Sequence, residues 1–307
     1  MDYISNVGAT VSIYVVLALS LNIVMGYVGT VTVAQAAFMG LGAYSTAILT
    51  TQHAWPFLPT VLVGMGLSVG LGLILLWPAM RITGLLYAVV SFAVMVIVVD
   101  IFTNLTTLTG GAAGIPGIPR VRVGLFHLVS NEEFFLAYGI IAVLVFIVTA
   151  RIGSSVFGLQ LRAIREDERA ARAAGLSVLT LKVKAFVISA ALASLAGSMY
   201  APFIGYVDPS TFSITLSFLL IAIVIIGGSG NVYGVTLGAI LLTVIPDIIT
   251  FFRLPSTLTG ALAQVIYAAA LLIILRFRPR GILPERRWIA FDRRVRSRLG
   301  DLQTEAE

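Results

Sequence analysis

Residues able to do covalent or metal chemistry are few in this chain and poorly placed for it. The two histidines, His53 and His127, each stand alone with no second ligand at metal spacing, so no metal site is expected. No Ser-His-Asp set or carboxylate pair lies at usable spacing, and no catalytic residue is assigned. Gly110-Gly-Ala-Ala-Gly-Ile-Pro116 has the glycines of a phosphate loop but no lysine and no following helix, and no G-x-x-x-x-G-K-[ST] occurs elsewhere. The chain is therefore not expected to be its own ATPase. With no cysteine, disulfides, thiol catalysis and zinc-cysteine sites are excluded. What remains is a handful of polar groups inside apolar stretches: Asn22, Gln35, Ser91, Asp100, Asp247 and Gln264. An amide or carboxyl in such a place needs a partner or a function.

The elements that would position these groups are membrane helices. Of the 307 residues, 59% are hydrophobic and 11% charged, against about 25% charged in soluble domains. The mean hydropathy is +1.02. The fold class expected is all-α, a polytopic transmembrane bundle of about nine spans, with eight to ten compatible. The candidate spans are 7–25, 31–49, 58–77, 85–101, 134–150, 185–206, 211–226, 232–252 and 260–275. The first 25 residues lack a basic leader region and an A-x-A cleavage pattern, so they read as a retained span. Gly26-Tyr-Val-Gly29 and Gly227-Gly-Ser-Gly-Asn231 read as turns. Residues 103–133, rich in glycine and proline, read as a long connection that breaks both helix and strand.

One long charged segment interrupts this pattern, Leu159 to Lys184. Read as a single helix, it places Arg162, Arg165, Arg169 and Arg172 within an arc of roughly 80°. Ala163, Ala170 and Ala174 lie on the flank away from that arc, with Ala171 beside them. Glu166, Asp167 and Glu168 sit among the arginines at pairing distance along a helix, and Gly175 ends it. A short helix with one small-residue surface lets another backbone approach closely, which suits a docking element.

Placing that segment in the cytoplasm and alternating nine spans puts Arg81, seven basic residues of 151–184 and nine arginines from Arg276 to Arg298 inside. That is 17 of the 20 lysines and arginines, with Arg120, Arg122 and Arg253 outside. This is the orientation the positive-inside rule demands. The basic residues are then topology signals, and the tail meets anionic lipid headgroups. The +6 charge accordingly implies no nucleic acid.

The charged stretch also carries a likeness. R-A-I-R-E-D-E-R-A-A-R-A-A-G-L, Arg162–Leu176, resembles the cytoplasmic loop of permease subunits of the branched-chain amino acid ABC importers. The resemblance extends to Ala34–Tyr44, Ile82–Phe92, Thr109–Ile115, Lys182–Ala190, Ala196–Ala201 and Ile225–Gly234, in effect to residues 10–288. It implies an ABC permease fold over 1–288 with a coupling loop at 151–184, and a basic then acidic cytoplasmic tail at 289–307. It also implies a multi-pass protein of a bacterial or archaeal inner membrane. Arg162, Arg165, Glu166, Asp167, Glu168, Ala170, Ala171 and Gly175 would couple to a cytoplasmic ATPase subunit, although Arg169 is one residue more than the general E-A-A…G motif carries. The implied partners are ATPase subunits that bind the ATP, a second homologous permease and an extracytoplasmic substrate-binding protein, and no cofactor is held by the chain. Asn22, Gln35, Gly40, Gly42, Ser91, Gly227 and Gly228 are the candidate pathway residues. Urea or short amides are alternative substrates. A stand-alone secondary transporter is the alternative mechanism.

Overall fold

The computed structural model describes residues 2–77, 82, 84–123, 126–127, 130–251, 269, 276 and 281–283. Helix α1, Asp2–Leu21, runs directly into a π-helical turn, Asn22–Val28. It is followed by α2, Gln35–His53, α3, Phe57–Leu76, α4, Leu85–Asn104, and the single turn α5, Thr106–Thr109. After the connection come α6, Asn131–Ser154, α7, Val156–Glu166, α8, Glu168–Ala173, and α9, Val178–Ile204. The last two are α10, Ile214–Gly227, and α11, Val232–Phe251. Eight of the nine expected spans are thus helices, and the ninth, 260–275, lies outside the described residues.

Among the described residues, five helices are long and apolar enough to cross a membrane on that ground alone: Tyr3–Val28, Phe57–Leu75, Leu86–Asn104, Asn131–Ser154 and Val178–Ile204. Helix α2 is not among them, for a structural reason. Residues Gln35 to Ala47 are all buried, enclosed chiefly by α9 and α3, with α4 beside them. A helix that meets protein instead of lipid can carry Gln, Ser, Thr and Gly, and its 19 residues still reach about 28 Å.

The seam between α2 and α9 is made by glycine. A Cβ on Gly42 would run into the carbonyl of Ser194, and one on Gly197 into the carbonyl of Met39. Two backbones therefore touch with no side chain between them, the close approach that small residues permit in lipid. Gly227, Gly234 and Gly238 do the same for α10 and α11.

The helix ends follow capping chemistry. A capping box of Ser130 and Glu133 opens α6, with Glu132 and Glu133 in its first turn and Arg151 in its last. Gly205, at φ 74°, stops α9.

Two expectations are corrected at this level. Gly26-Tyr-Val-Gly29 is not a free turn. The first span continues through it as the π turn, and the chain leaves the helix at Gly29, where φ is 77°. The connection after α4 is not without strands. Strand β1, Ile115–Pro116, pairs antiparallel with β4, Tyr206–Val207, and β2, Arg122–Val123, pairs with β3, Phe126–His127. The glycines do not prevent this, because Gly114, at φ 69°, lies against the Val207 carbonyl where a side chain would not fit. Tyr206 Oη donates to Ala113 O at 2.9 Å and closes the same contact.

Candidate functional site

The segment between α6 and α9 is a helical hairpin and not one helix. Asp167 has extended backbone, φ −154° and ψ 108°, and separates α7 from α8. Its Oδ1 accepts from the backbone N–H of Arg169 at 2.8 Å and of Ala170 at 3.0 Å. An aspartate that caps a new helix competes with continuation of the old one, so the expected single arginine arc does not form. At the far end the Gly175 stop is present. Leu176 N donates to Ala171 O, Gly175 N to Arg172 O, and Gly175 has φ 84°.

The two halves face in different directions. On α7, Leu161 and Ile164 are buried, and both arginines turn toward the body of the protein. The Arg165 guanidinium donates to the carbonyl of Gly26 in the π turn. The Arg162 guanidinium lies 5.1 Å from the centre of the Tyr27 ring. On α8 and just past it, Ala170, Ala173, Ala174 and Gly175 are exposed, whereas Ala171 is buried among the protein's own apolar groups. Arg169 and Arg172 are exposed, as are Glu166 and Asp167.

Glu168 ties the hairpin to α9. Its Oε2 accepts from Lys182 Nζ at 2.7 Å and its Oε1 from Arg172 Nη2 at 2.5 Å. Lys182 is 9% exposed, so this pair is largely withdrawn from water. Burial opposes the Glu168 charge, but the hydrogen bonds and charges of Lys182 and Arg172 outweigh it and hold the carboxyl below its ordinary value. Backbone N–H groups of Ala170 and Arg169 do the same for Asp167. Beside this pair lies a cleft of about 280 Å³ including its mouth, lined by Val24, Val28, Thr30, Ile82, Tyr87, Lys182 and Phe186.

The candidate pathway residues lie in contacts between helices or between a helix and a connecting segment. Gln35 Nε2 donates to Ser20 Oγ at 2.5 Å and to Ser189 Oγ at 3.2 Å, and Ser189 Oγ donates to Ser20 O at 2.6 Å. This small polar knot joins α1, α2 and α9. Ser91 Oγ accepts from Val33 N at 3.0 Å and donates to Ala88 O at 2.8 Å. Gly40 faces Phe102 and Phe212, and Gly42 faces Ser194. Gly227 abuts Gly234, and Gly228, at φ 112°, abuts Gly281. Asn22 is fully buried. Its Oδ1 accepts from Gly230 N at 2.9 Å, and its Nδ2 has no hydrogen-bond partner. Sequence reasoning identified these positions and missed the partners Ser189 and Gly230, which lie more than 150 residues away along the chain.

Among the described residues no group of three or more His, Asp or Glu could hold a metal.

Residues 3–275 match the family described as the permease component of branched-chain amino acid transport systems. The chain belongs to that family. The permease is 31% identical over 298 residues to the high-affinity branched-chain amino acid transport system permease protein LivM of Salmonella typhimurium, a match covering 89% of this chain and 68% of the relative. It is 23% identical to the probable branched-chain amino acid transport permease protein LivM of Methanocaldococcus jannaschii, across 93% of this chain and 94% of that one. A further relative, 25% identical over 71% of this chain and 59% of its own length, is the autoinducer 2 import system permease protein LsrC of Yersinia enterocolitica. No solved structure shows a significant match. The permease is a multi-pass membrane protein and a transport component.

Proposed function

We propose that this permease is the transmembrane subunit of an ATP-driven importer of branched-chain amino acids. It works with a second homologous permease, with cytoplasmic ATPase subunits that bind the ATP, and with an external binding protein that delivers substrate. The observation that carries this is the division of labour in the hairpin. Helix α7 holds to the protein, and α8 presents an exposed small-residue surface, Ala170, Ala173, Ala174 and Gly175, to which a groove of an ATPase subunit can fit.

The hairpin end is the cytoplasmic end of an inner-membrane protein, in keeping with the basic residues gathered there. Residues 1–288 form the permease domain and 289–307 a cytoplasmic tail. ATP-driven closure of the ATPase subunits moves the hairpin and switches the bundle between inward-open and outward-open states. Asn22, Gln35, Gly40, Gly42, Ser91, Gly227 and Gly228 support the path that opens between states, as the contacts on which its helices turn. The permease holds no cofactor. Branched-chain amino acids are the substrate class because the two LivM relatives carry that name across most of this chain.

Reconstitution of the complex into liposomes tests this. Uptake of labelled leucine, isoleucine or valine that requires ATP, binding protein and ATPase subunits is expected. Uptake by the permease alone on an ion gradient would show a secondary transporter. Preference for urea or short amides would reassign the substrate.

A further inference from the structure

The π turn Asn22–Val28 continues α1 and packs against α9, and it also receives named contacts from α6, α7 and the turn joining α10 and α11. From α7, the Arg165 guanidinium donates to Gly26 O, and the Arg165 stem fills the space where a Gly29 side chain would stand. Arg162 covers the face of Tyr27. From α6, Thr149 O accepts from Tyr27 Oη at 3.4 Å, and Gly153 leaves room for that hydroxyl. From the turn joining α10 and α11, Gly230 N donates to Asn22 Oδ1 at 2.9 Å. That turn is itself strapped, since Asn231 Nδ2 donates to Leu283 O at 3.0 Å. The docking hairpin thus reaches the first span and the α10–α11 pair through one wide helical turn.

Such a turn is suited to a change of register. A π turn carries one residue more than an α turn and is characteristic of functional sites. Moving its hydrogen bonds by one residue converts it to α without breaking α1, which runs into it. In the present register one buried donor, Asn22 Nδ2, is left without a partner. An unsatisfied buried donor is a cost that another register can relieve.

We infer that Asn22–Val28 is the mechanical joint of the permease, with Arg165 and Asn22 as its positioning residues. The stroke applied to α8 moves α7. Arg165 pulls on the Gly26 carbonyl, the turn changes register, and Asn22 passes the change to Gly230 and so to α10 and α11. The inference rests on the importer reading, and it assigns Arg165 a role after docking, not in docking.

The test uses the complete complex, native and with Arg165→Gln, Arg165→Lys or Asn22→Ala. Three quantities are read: ATPase subunit retained on purification, substrate taken up per ATP hydrolysed, and amide hydrogen exchange over residues 22–30 with and without trapping by ATP and vanadate. In the native complex, trapping is expected to change exchange over 22–30. Arg165→Gln is expected to keep the ATPase subunit, lose about tenfold in uptake per ATP, the scale of one charged hydrogen bond, and lose the exchange change. Arg165→Lys, which retains a cationic donor, is expected to restore most of both. Should Arg165→Gln fail to insert, Asn22→Ala reads the other end of the joint, with a loss of about threefold expected.

Native stoichiometry in Arg165→Gln, or in Asn22→Ala where that variant is the one read, overturns the joint and leaves the importer reading intact. So does unchanged exchange in the trapped native complex. Loss of the ATPase subunit from Arg165→Gln makes Arg165 a docking contact, which also overturns it. A native chain that binds no ATPase subunit and transports without ATP removes the importer reading itself, and the joint with it.

Discussion

The α2–α9 seam and the α7–α8 hairpin are held by opposite means. In the seam, Gly42 and Gly197 let backbone touch backbone, and the polar contribution is a knot of Gln35, Ser20 and Ser189. In the hairpin, position is set by charge: Asp167 on backbone N–H groups, Glu168 between Lys182 and Arg172, Arg165 on Gly26 and Arg162 on Tyr27. Lipid offers apolar side chains no reason to prefer protein over hydrocarbon, so close packing must do the work there. In the hairpin, three side-chain charges meet at Glu168, Lys182 and Arg172. The difference separates a seam of backbone contact from a hairpin tied by ion pairs and hydrogen bonds.

The sharpest way to break this comparison is steric. Gly197→Leu places a side chain where the Met39 carbonyl lies, and overpacking of this kind costs about 1–3 kcal/mol or more. Loss of the monodisperse protein on size-exclusion chromatography in detergent is expected, whereas Gly139→Leu, at a site with open space around it, should leave elution unchanged. Next in size is Lys182→Met, which leaves the Glu168 carboxylate partly buried with only Arg172. A destabilisation of about 1–3 kcal/mol is expected, read as a lower melting temperature of the purified protein, and Lys182→Met with Glu168→Gln should recover part of it. Gln35→Leu is smaller, about 1 kcal/mol, the scale of polar contacts between membrane helices. A double-mutant cycle with Ser189→Ala should show coupling between the two.

The smallest effect is that of pH. Asp167 and Glu168 have folded pKa values below their unfolded ones. Their contribution is therefore complete above the ordinary carboxylate range, about pH 4, and is lost as pH falls through the folded values. A spin label at exposed Ala170 should gain mobility as pH is lowered through that range, while one at Leu41, inside the seam, should not.

The fold was legible where periodicity and punctuation carry it. Composition gives the polytopic bundle, and the breaks at His53 to Pro56 and Asp208-Pro209 fall between helices, whereas the expected span 185–206 runs past the end of α9 at Ile204, where Gly205 stops it. The start of α9 at Val178 instead of 185 was hidden because Lys182 and Lys184 read as loop, although Glu168 neutralises Lys182 there. The segment was legible as a charged helical interruption ended at Gly175 but not as two helices. The signal was present, since Asp167 stands directly before the Glu168–Ala173 run where a cap belongs, but three adjacent acids disguised it as a helix surface. The π turn was out of reach, because Gly26 and Gly29 predict a break equally well. So were the inward-facing arginines, since their targets, Gly26 and Tyr27, lie more than a hundred residues away in the chain.

Because the sequence contains no cysteine, the docking claim has a direct test with an internal control. Ala170→Cys and Ala171→Cys, introduced singly into the assembled complex, are treated with a short bifunctional thiol crosslinker after a cysteine is placed in the groove of the ATPase subunit. The residues are neighbours on α8, one exposed and the other 5% exposed. A crosslink to the ATPase subunit from position 170 and none from 171 is the expected result. Equal crosslinking from both, or none from 170 while the subunit remains bound, contradicts docking through the exposed face of α8.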